Sequence, residues 1–301
     1  MSRSPVRTVF LGSGQFAVPT LGALAAHQSC ELVGIVSAPP RPVGRRQEVQ
    51  PTPVGRWAAE HGITPLTLRR LREPESQALV AALAPELLVL ADYGQIVPAA
   101  LLDLPRHRAL NLHPSLLPRH RGASPIQAAI REGDPRTGVT LMVMDEGLDS
   151  GPIAAQRALE LAGDETAPQL EALLADIAAS LLGESLPGWL AGELETRPQP
   201  IEGVTLTRPL RREDGRLDPS RLAAELERQV RAYQPWPGAF VGTAHGRLLI
   251  WRAQVAHQST TNPTLVTGDG ALELLEVQPA GGRRMSGEEY VRGRPGRLTL
   301  G

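Results

Sequence analysis

Val6-Arg-Thr-Val-Phe-Leu11-Gly12-Ser-Gly14-Gln-Phe-Ala17 is an apolar run that ends in a glycine turn, and the helical stretch Val18 to His27 then leads to a second apolar run, Leu32 to Val36. A short apolar run bounded by glycine reads as a buried strand closed by a tight turn, because glycine reverses the chain without a Cβ clash. The unit is βαβ. Outward from it, apolar runs at Leu87 to Ala91, Arg108 to Leu112 and Val139 to Met144 alternate with helical patterns at Pro74 to Leu83 and Pro125 to Arg131. This alternation predicts an α/β fold, a doubly wound and mainly parallel Rossmann-like sheet covered by helices. Thr166 to Leu190 closes it as a long amphipathic helix whose Leu170, Leu173, Leu174, Ile177, Leu181 and Leu182 are expected in the core.

A chain of 301 residues exceeds the usual span of one hydrophobic core, which favours two domains. From Ala191 to Gly203 the sequence has no period and carries two prolines and two glycines, the composition of a linker. Domains are therefore expected at residues 1–190 and 208–301, with 191–207 between them. The second part reads as one helix, Pro219 to Ala232, followed by short strands at Arg247 to Trp251 and Ala271 to Val277, a small β-rich module.

No apolar run approaches the roughly 20 residues that cross a bilayer. The N-terminus has no apolar signal-peptide core, so a cytoplasmic protein is expected. The single cysteine, Cys30, is expected to be a small buried side chain and not a nucleophile. All 31 basic residues are arginine, which excludes Schiff-base chemistry on lysine. Residues 1–207 carry 17 Arg against 22 Asp and Glu, and residues 208–301 carry 14 against 10, so the net charges are −5 and +4. A basic second part permits a nucleic-acid partner without requiring one.

The turn Gly12-Ser-Gly14-Gln-Phe-Ala17 fits the dinucleotide pattern G-x-G-x-x-G/A, yet Val36 is followed by Ser37, Ala38 and two prolines where a ribose-binding acid is expected. The chain also lacks a G-x-S-x-G elbow and an H-E-x-x-H pair, so covalent or zinc catalysis has no evident carrier. The informative stretch is Asn111-Leu-His113-Pro-Ser115-Leu-Leu-Pro118-Arg-His-Arg-Gly-Ala-Ser-Pro-Ile-Gln127. Asn111 and His113 lie two residues apart in extended chain and so share a face. The loop Asp145-Glu-Gly-Leu-Asp149-Ser-Gly151, after the strand Val139 to Met144, is expected to bring carboxylates to the same sheet edge. An amide, an imidazole and a carboxylate then form a candidate site whose nucleophile comes from a substrate. The long loop Ala38 to Pro53, with Arg41, Arg45 and Arg46, is a candidate binding loop.

These stretches, with Gly138-Val-Thr-Leu-Met-Val-Met-Asp-Glu-Gly-Leu-Asp149, Arg41-Pro-Val-Gly-Arg45, Ala91-Asp-Tyr-Gly94, Tyr233-Gln-Pro-Trp-Pro-Gly238 and the tail Leu275 to Ser286, resemble the methionyl-tRNA formyltransferase family among the folate-dependent formyltransferases. The resemblance covers nearly the whole chain. It implies formyl transfer from 10-formyltetrahydrofolate to the amino group of initiator methionyl-tRNA, without a metal, by a monomer. It assigns Asn111 and His113 to the oxyanion and Asp149 to orienting the ring and receiving the amine's proton. It further assigns Ser115, Leu116, Leu117, Pro118, Met144, Asp145 and Gly147 to folate, and Arg41, Arg45 and Arg46 to tRNA. Residues 208–301 become an OB-type, β-barrel-like tRNA-binding domain.

Three departures from the family pattern stand out. Gly14 occupies the place of a proline in Gly-Thr-Pro-x-Phe-Ala, and the long loop has Arg-Arg-Gln-Glu where lysine is frequent. About one strand-turn-strand is also missing between Trp251-Arg-Ala and Thr267-Gly-Asp-Gly270, which shortens the barrel and leaves it open or rearranged. Sister enzymes use the same trio on an amino-sugar nucleotide, so the trio fixes the reaction type and not the acceptor. A non-catalytic folate-binding protein and a redox enzyme remain the readings from other classes.

Overall fold

The computed structural model describes residues 4–43, 47–243, 246–256, 261–292 and 299–300. They form two compact units, one of Met1–Ala123, Thr137–Leu159 and Glu171–Thr207, the other of Ser124–Arg136, Glu160–Leu170 and Arg208–Gly301.

The first part of the chain supplies β1 (Val6–Gly12), α1 (Ala17–Ala25), β2 (Cys30–Ser37), β3 (Arg41–Val43), β4 (Glu48–Gln50), α2 (Pro53–Glu60), β5 (Leu66–Thr67), α3 (Pro74–Ala81), β6 (Leu87–Ala91), α4 (Ala99–Leu102) and β7 (Ala109–His113). It continues through β8 (Arg121–Gly122), α5 (Pro125–Glu132), β9 (Arg136–Val143), β10 (Ile153–Glu160), α6 (Ala167–Ala191) and β11 (Leu206–Thr207). The main sheet has seven strands in the order β10-β9-β7-β6-β1-β2-β5. Strands β7, β6, β1, β2 and β5 are parallel, as the βαβ reading requires, while β9 pairs antiparallel with β7. Every side chain of β6 is buried, which is why its sequence is apolar throughout and not alternating. Val9, Leu11, Leu88, Leu90 and Leu101 share one core cluster with Val36 and Leu71.

Helix α6 matches the expected amphipathic helix, and Trp189 ties its end to the first unit by donating Nε1–H to the His107 carbonyl at 2.9 Å. Leu173 departs from expectation: it is 47% exposed, whereas Leu170, Leu174 and Leu182 are fully buried. Cys30 is half-buried, and burial pushes its thiol pKa up, against nucleophilic use.

The second unit contains α7 (Ala223–Ala232), β12 (Ala239–Thr243), β13 (Gly246–Val255), β14 (Thr264–Thr267), β15 (Gly270–Pro279), β16 (Met285–Ser286), α8 (Gly287–Arg292) and β17 (Thr299–Leu300). Helix α7 starts later than its periodicity suggests, because the Asp218 carboxylate accepts from the Ser220 N–H at 3.0 Å and holds 218–221 in a turn. The sheet runs β12-β13-β15-β14-β17, with β16 against β15. Its two edge strands, β12 and β17, do not pair with each other among the described residues, so the described sheet is open and does not close as a barrel. Leu226 and Val230 of α7 pack with Leu248, Ile250, Leu272, Leu274 and Val277 in the core.

The glycine turn after β1 explains the first departure from the family pattern. Ser13 donates its N–H to the Asp92 carbonyl at 2.9 Å, and a Cβ on Gly14 would lie 1.5 Å from the Asp92 carboxylate. A residue other than glycine at position 14 therefore requires the Asp92 carboxylate to move. Although the residue keeps a solvent-facing side, the crowding around its carboxyl raises the Asp92 pKa through desolvation. Glu171, which accepts the Phe16 N–H at 3.2 Å, is raised first by burial and then by the Asp92 charge. The native state thus holds protons more tightly than the unfolded chain at both acids. Stability contributed by this pair is present at low pH and lost as pH rises from the ordinary carboxylate range through the raised native values. Asp92→Asn is expected to be more stable at neutral pH and to flatten that loss, measured by urea unfolding between about pH 4 and 7. An unchanged slope would count against the pair.

Candidate active site

Asn111 and His113 project from one face of β7, as their spacing predicts. Asn111 is half-buried between Leu90 of β6 and Met142 of β9, and its amide has no hydrogen-bond partner among the described residues. His113 is 5% exposed. Its Nε2 lies 2.9 Å from the His120 carbonyl. A carbonyl only accepts, so Nε2 carries the hydrogen and Nδ1 is the nitrogen left for chemistry. Nδ1 faces Asp149 Oδ2 at 3.7 Å, too far for a hydrogen bond and close enough for attraction when the ring is charged. The same Oδ2 accepts the Gly122 N–H at 2.8 Å. The three residues read from the sequence lie together.

They do not meet by the expected route. Because β9 is antiparallel to β7, Val143 pairs with Leu110 at the start of β7, while His113 pairs with Thr140. The chain leaves β9 beside the wrong end of β7 for a shared sheet edge, and loop 144–152 folds back to bring Asp149 to His113. Several contacts hold that return. Asp145 Oδ1 accepts the Gly147 N–H at 3.1 Å and the Ser150 hydroxyl at 2.9 Å. A Cβ on Gly151 would fall 1.8 Å from the Val143 carbonyl, so the close approach there requires glycine. Asp149 itself sits at φ 48°, in the left-handed region that Asp enters more readily than most L residues but still at some cost.

The candidate folate wall is ordered from behind. Ser115 is fully buried and Leu117 is 3% exposed, Leu116 and Pro118 are half-buried, and Met144 packs against the core below. Ser115 donates its hydroxyl to the Arg119 carbonyl at 2.6 Å, so the Ser115 and Leu117 side chains shape the wall from within. Thr140 is the hub of this packing: its hydroxyl donates to the Ser115 carbonyl at 2.7 Å and accepts from Leu117 N–H at 3.1 Å and Gln156 Nε2 at 2.9 Å. Asp145 and Gly147 are exposed. Arg41 is exposed on the β3–β4 hairpin, and Arg45 and Arg46 lie outside the described residues. Among the described residues no group of three or more His, Cys, Asp or Glu could hold a metal ion.

Sequence reasoning missed the contribution of the apparent linker. Gln199 donates Nε2–H to the Asp149 and Gly151 carbonyls, both at 2.8 Å, and accepts at Oε1 from Arg121 Nε at 3.0 Å and Nη2 at 2.7 Å. Arg197 exchanges main-chain hydrogen bonds with Ile153 at 2.8 and 2.9 Å, and Thr205 Oγ1 accepts the His120 N–H at 2.8 Å. A stretch with two prolines and two glycines shows no periodicity by which such contacts announce themselves.

Comparison with known proteins gives a match to the formyl transferase model over residues 6–186 and to the formyl transferase C-terminal domain model over residues 209–295. The methionyl-tRNA formyltransferase of Myxococcus xanthus is 42% identical over 298 residues, covering 95% of each chain. That of Chloroflexus aurantiacus is 43% identical over 301 residues, covering 96% of this chain and 97% of its own. Among solved structures, a sugar N-formyltransferase from a Shewanella species superposes with a TM-score of 0.65 at 18% identity, over 85% of this chain and 99% of that one. HypX from Aquifex aeolicus with tetrahydrofolic acid gives a TM-score of 0.65 at 15% identity, over 99% of this chain and 49% of its own. At these identities the two structures speak to the fold alone.

Thr140→Val is expected to cost about 1–3 kcal/mol, since it leaves the Leu117 N–H and the Ser115 carbonyl buried without their partner. Urea unfolding measures it, and a loss within error would show that the hub is dispensable.

Proposed function

The chain belongs to the formyl transferase family, and on that premise we propose how its residues carry out the reaction. It transfers the formyl group of 10-formyltetrahydrofolate to the free amino group of initiator methionyl-tRNA, the step that prepares the initiator for translation. In the proposed mechanism the amine nitrogen attacks the formyl carbon and the carbonyl electrons move to oxygen. The oxyanion accepts hydrogen bonds from the unpartnered Asn111 amide and from the His113 ring. Nε2 is committed to the His120 carbonyl, so the cationic ring reaches the oxyanion through Nδ1. Asp149 Oδ2 is held by Gly122, which leaves Oδ1 to take the ammonium proton. As the bond to folate N10 breaks, that proton is delivered to N10, and tetrahydrofolate leaves. No covalent enzyme intermediate forms.

The observation that carries this reading is the junction of a vacant amide donor, a buried imidazole with one committed nitrogen and a carboxylate at 3.7 Å. Folate is proposed to lie along Ser115, Leu116, Leu117 and Pro118 and against Met144, Asp145 and Gly147. Residues 1–190 are proposed as the catalytic domain, 191–207 as the linker and 208–301 as the tRNA-binding domain, with Arg41, Arg45 and Arg46 at the acceptor end. The excess of arginine in 208–301 and the exposure of Arg41 support that role through phosphate contacts. We take the protein to act as a cytoplasmic monomer, and no described helix is long and apolar enough to cross a membrane. The amino-sugar reading has no specific observation in its favour.

Asn111→Ala is expected to lose about 10²- to 10³-fold in turnover with its fold intact, followed by transfer of labelled formyl to charged initiator tRNA. Near-normal turnover would remove Asn111 from the mechanism.

A further inference from the structure

We propose that Gln199 is a positioning residue for formyl transfer, holding Asp149 in the backbone conformation that aims its carboxylate at His113. The proposal rests on the catalytic reading of Asp149 given above. All four hydrogen-bonding positions of the Gln199 amide are used. Both amino hydrogens go to main-chain carbonyls of the returning loop, at Asp149 and Gly151, and both lone pairs of Oε1 are taken by Arg121. An amide so saturated has one orientation, so it fixes the two carbonyls relative to Arg121.

The Gln199 side chain is itself fixed, because the strap that carries it is pinned on both sides. Before it, Arg197 pairs with Ile153 and donates Nη2–H to Gln156 Oε1 at 2.7 Å. After it, Thr205 holds His120, and β11 pairs in parallel with β8, Leu206 beside Arg121 and Thr207 beside Gly122. Thr207 also donates its hydroxyl to the Arg121 carbonyl at 3.0 Å. The strap therefore grips three things at once: the loop carrying Asp149, the Gly122 N–H that donates to Asp149 Oδ2, and His120, whose carbonyl sets the His113 ring. Asp149 at φ 48° lies in a sparsely populated region, and the grip offsets the cost of holding it there. Without the two amide donors the loop is free to relax, and the carboxylate swings off the line to His113.

The test compares Gln199→Ala and Gln199→Met, the second keeping side-chain length without the amide, alone and combined with Asp149→Asn. Misplacement of a reacting group by about 1 Å costs on the order of 100-fold, so each single variant is expected to lose about 10- to 100-fold in kcat. The KM values for 10-formyltetrahydrofolate and for charged initiator tRNA are expected to stay within about 2-fold, because neither ligand contacts Gln199 in this account. In the Asp149→Asn background the Gln199 changes are expected to add no further loss, since their whole effect passes through that carboxylate. Multiplicative losses in the double variants, a rise in KM with kcat preserved, or unchanged kcat in both single variants would overturn the proposal. Full activity of Asp149→Asn by itself would instead overturn the catalytic reading on which the proposal stands.

Discussion

The hydrogen bond from His113 Nε2 to the His120 carbonyl organises the site more than any other single contact. It spans seven residues, so it closes the loop after β7 into a compact ring that carries Ser115 to Pro118 on its rim. It also decides which ring nitrogen is available, since a carbonyl partner leaves no choice of donor. Burial of the ring strengthens this bond and makes its loss costly. Thr140 and Gln156 support the ring from β9 and β10, and Thr205 supports His120 from the strap. The site is thus built as a cage around one imidazole, with the Asn111 amide and Asp149 set against it from two directions.

Much of this was legible in the sequence, and the illegible part has a physical cause. The βαβ start, the strands of the main sheet and the helices near residues 74, 125 and 167 follow from local periodicity, which depends on neighbours in the chain. Asn111 and His113 were legible for the same reason, since a two-residue spacing in extended chain fixes a shared face. The direction of β9 was not. Nothing local distinguishes a parallel from an antiparallel strand, and the reversal changed how Asp149 reaches its partner. Gln199 was hidden for a related reason. Its partners are 48 to 78 residues away, and a side-chain amide bonding to main-chain carbonyls leaves no pattern in the sequence. Leu173, apolar and in phase with the buried stripe yet exposed, shows that helical spacing marks a face and not its edges.

The second unit shows how a small β-module forms a core with an open sheet. Its core is made by α7 against β13, β14 and β15, and Leu226, Leu248, Ile250, Leu272 and Leu274 are buried without help from a closed barrel. Covering one face of the sheet with a helix replaces what closure would have supplied. Arg247 lies over the Phe240 ring at 3.7 Å and Arg284 over the Trp251 ring at 4.6 Å, which keeps guanidinium groups fixed on the sheet surface.

Gly14 and Asp92 form a pair coupled by geometry. With Asp92 as placed, a Cβ at position 14 would overlap the carboxylate, so a side chain there requires Asp92 to move. A change at position 14 is therefore felt first by a side chain far along the sequence, so substitutions at 14 and 92 are expected to be non-additive.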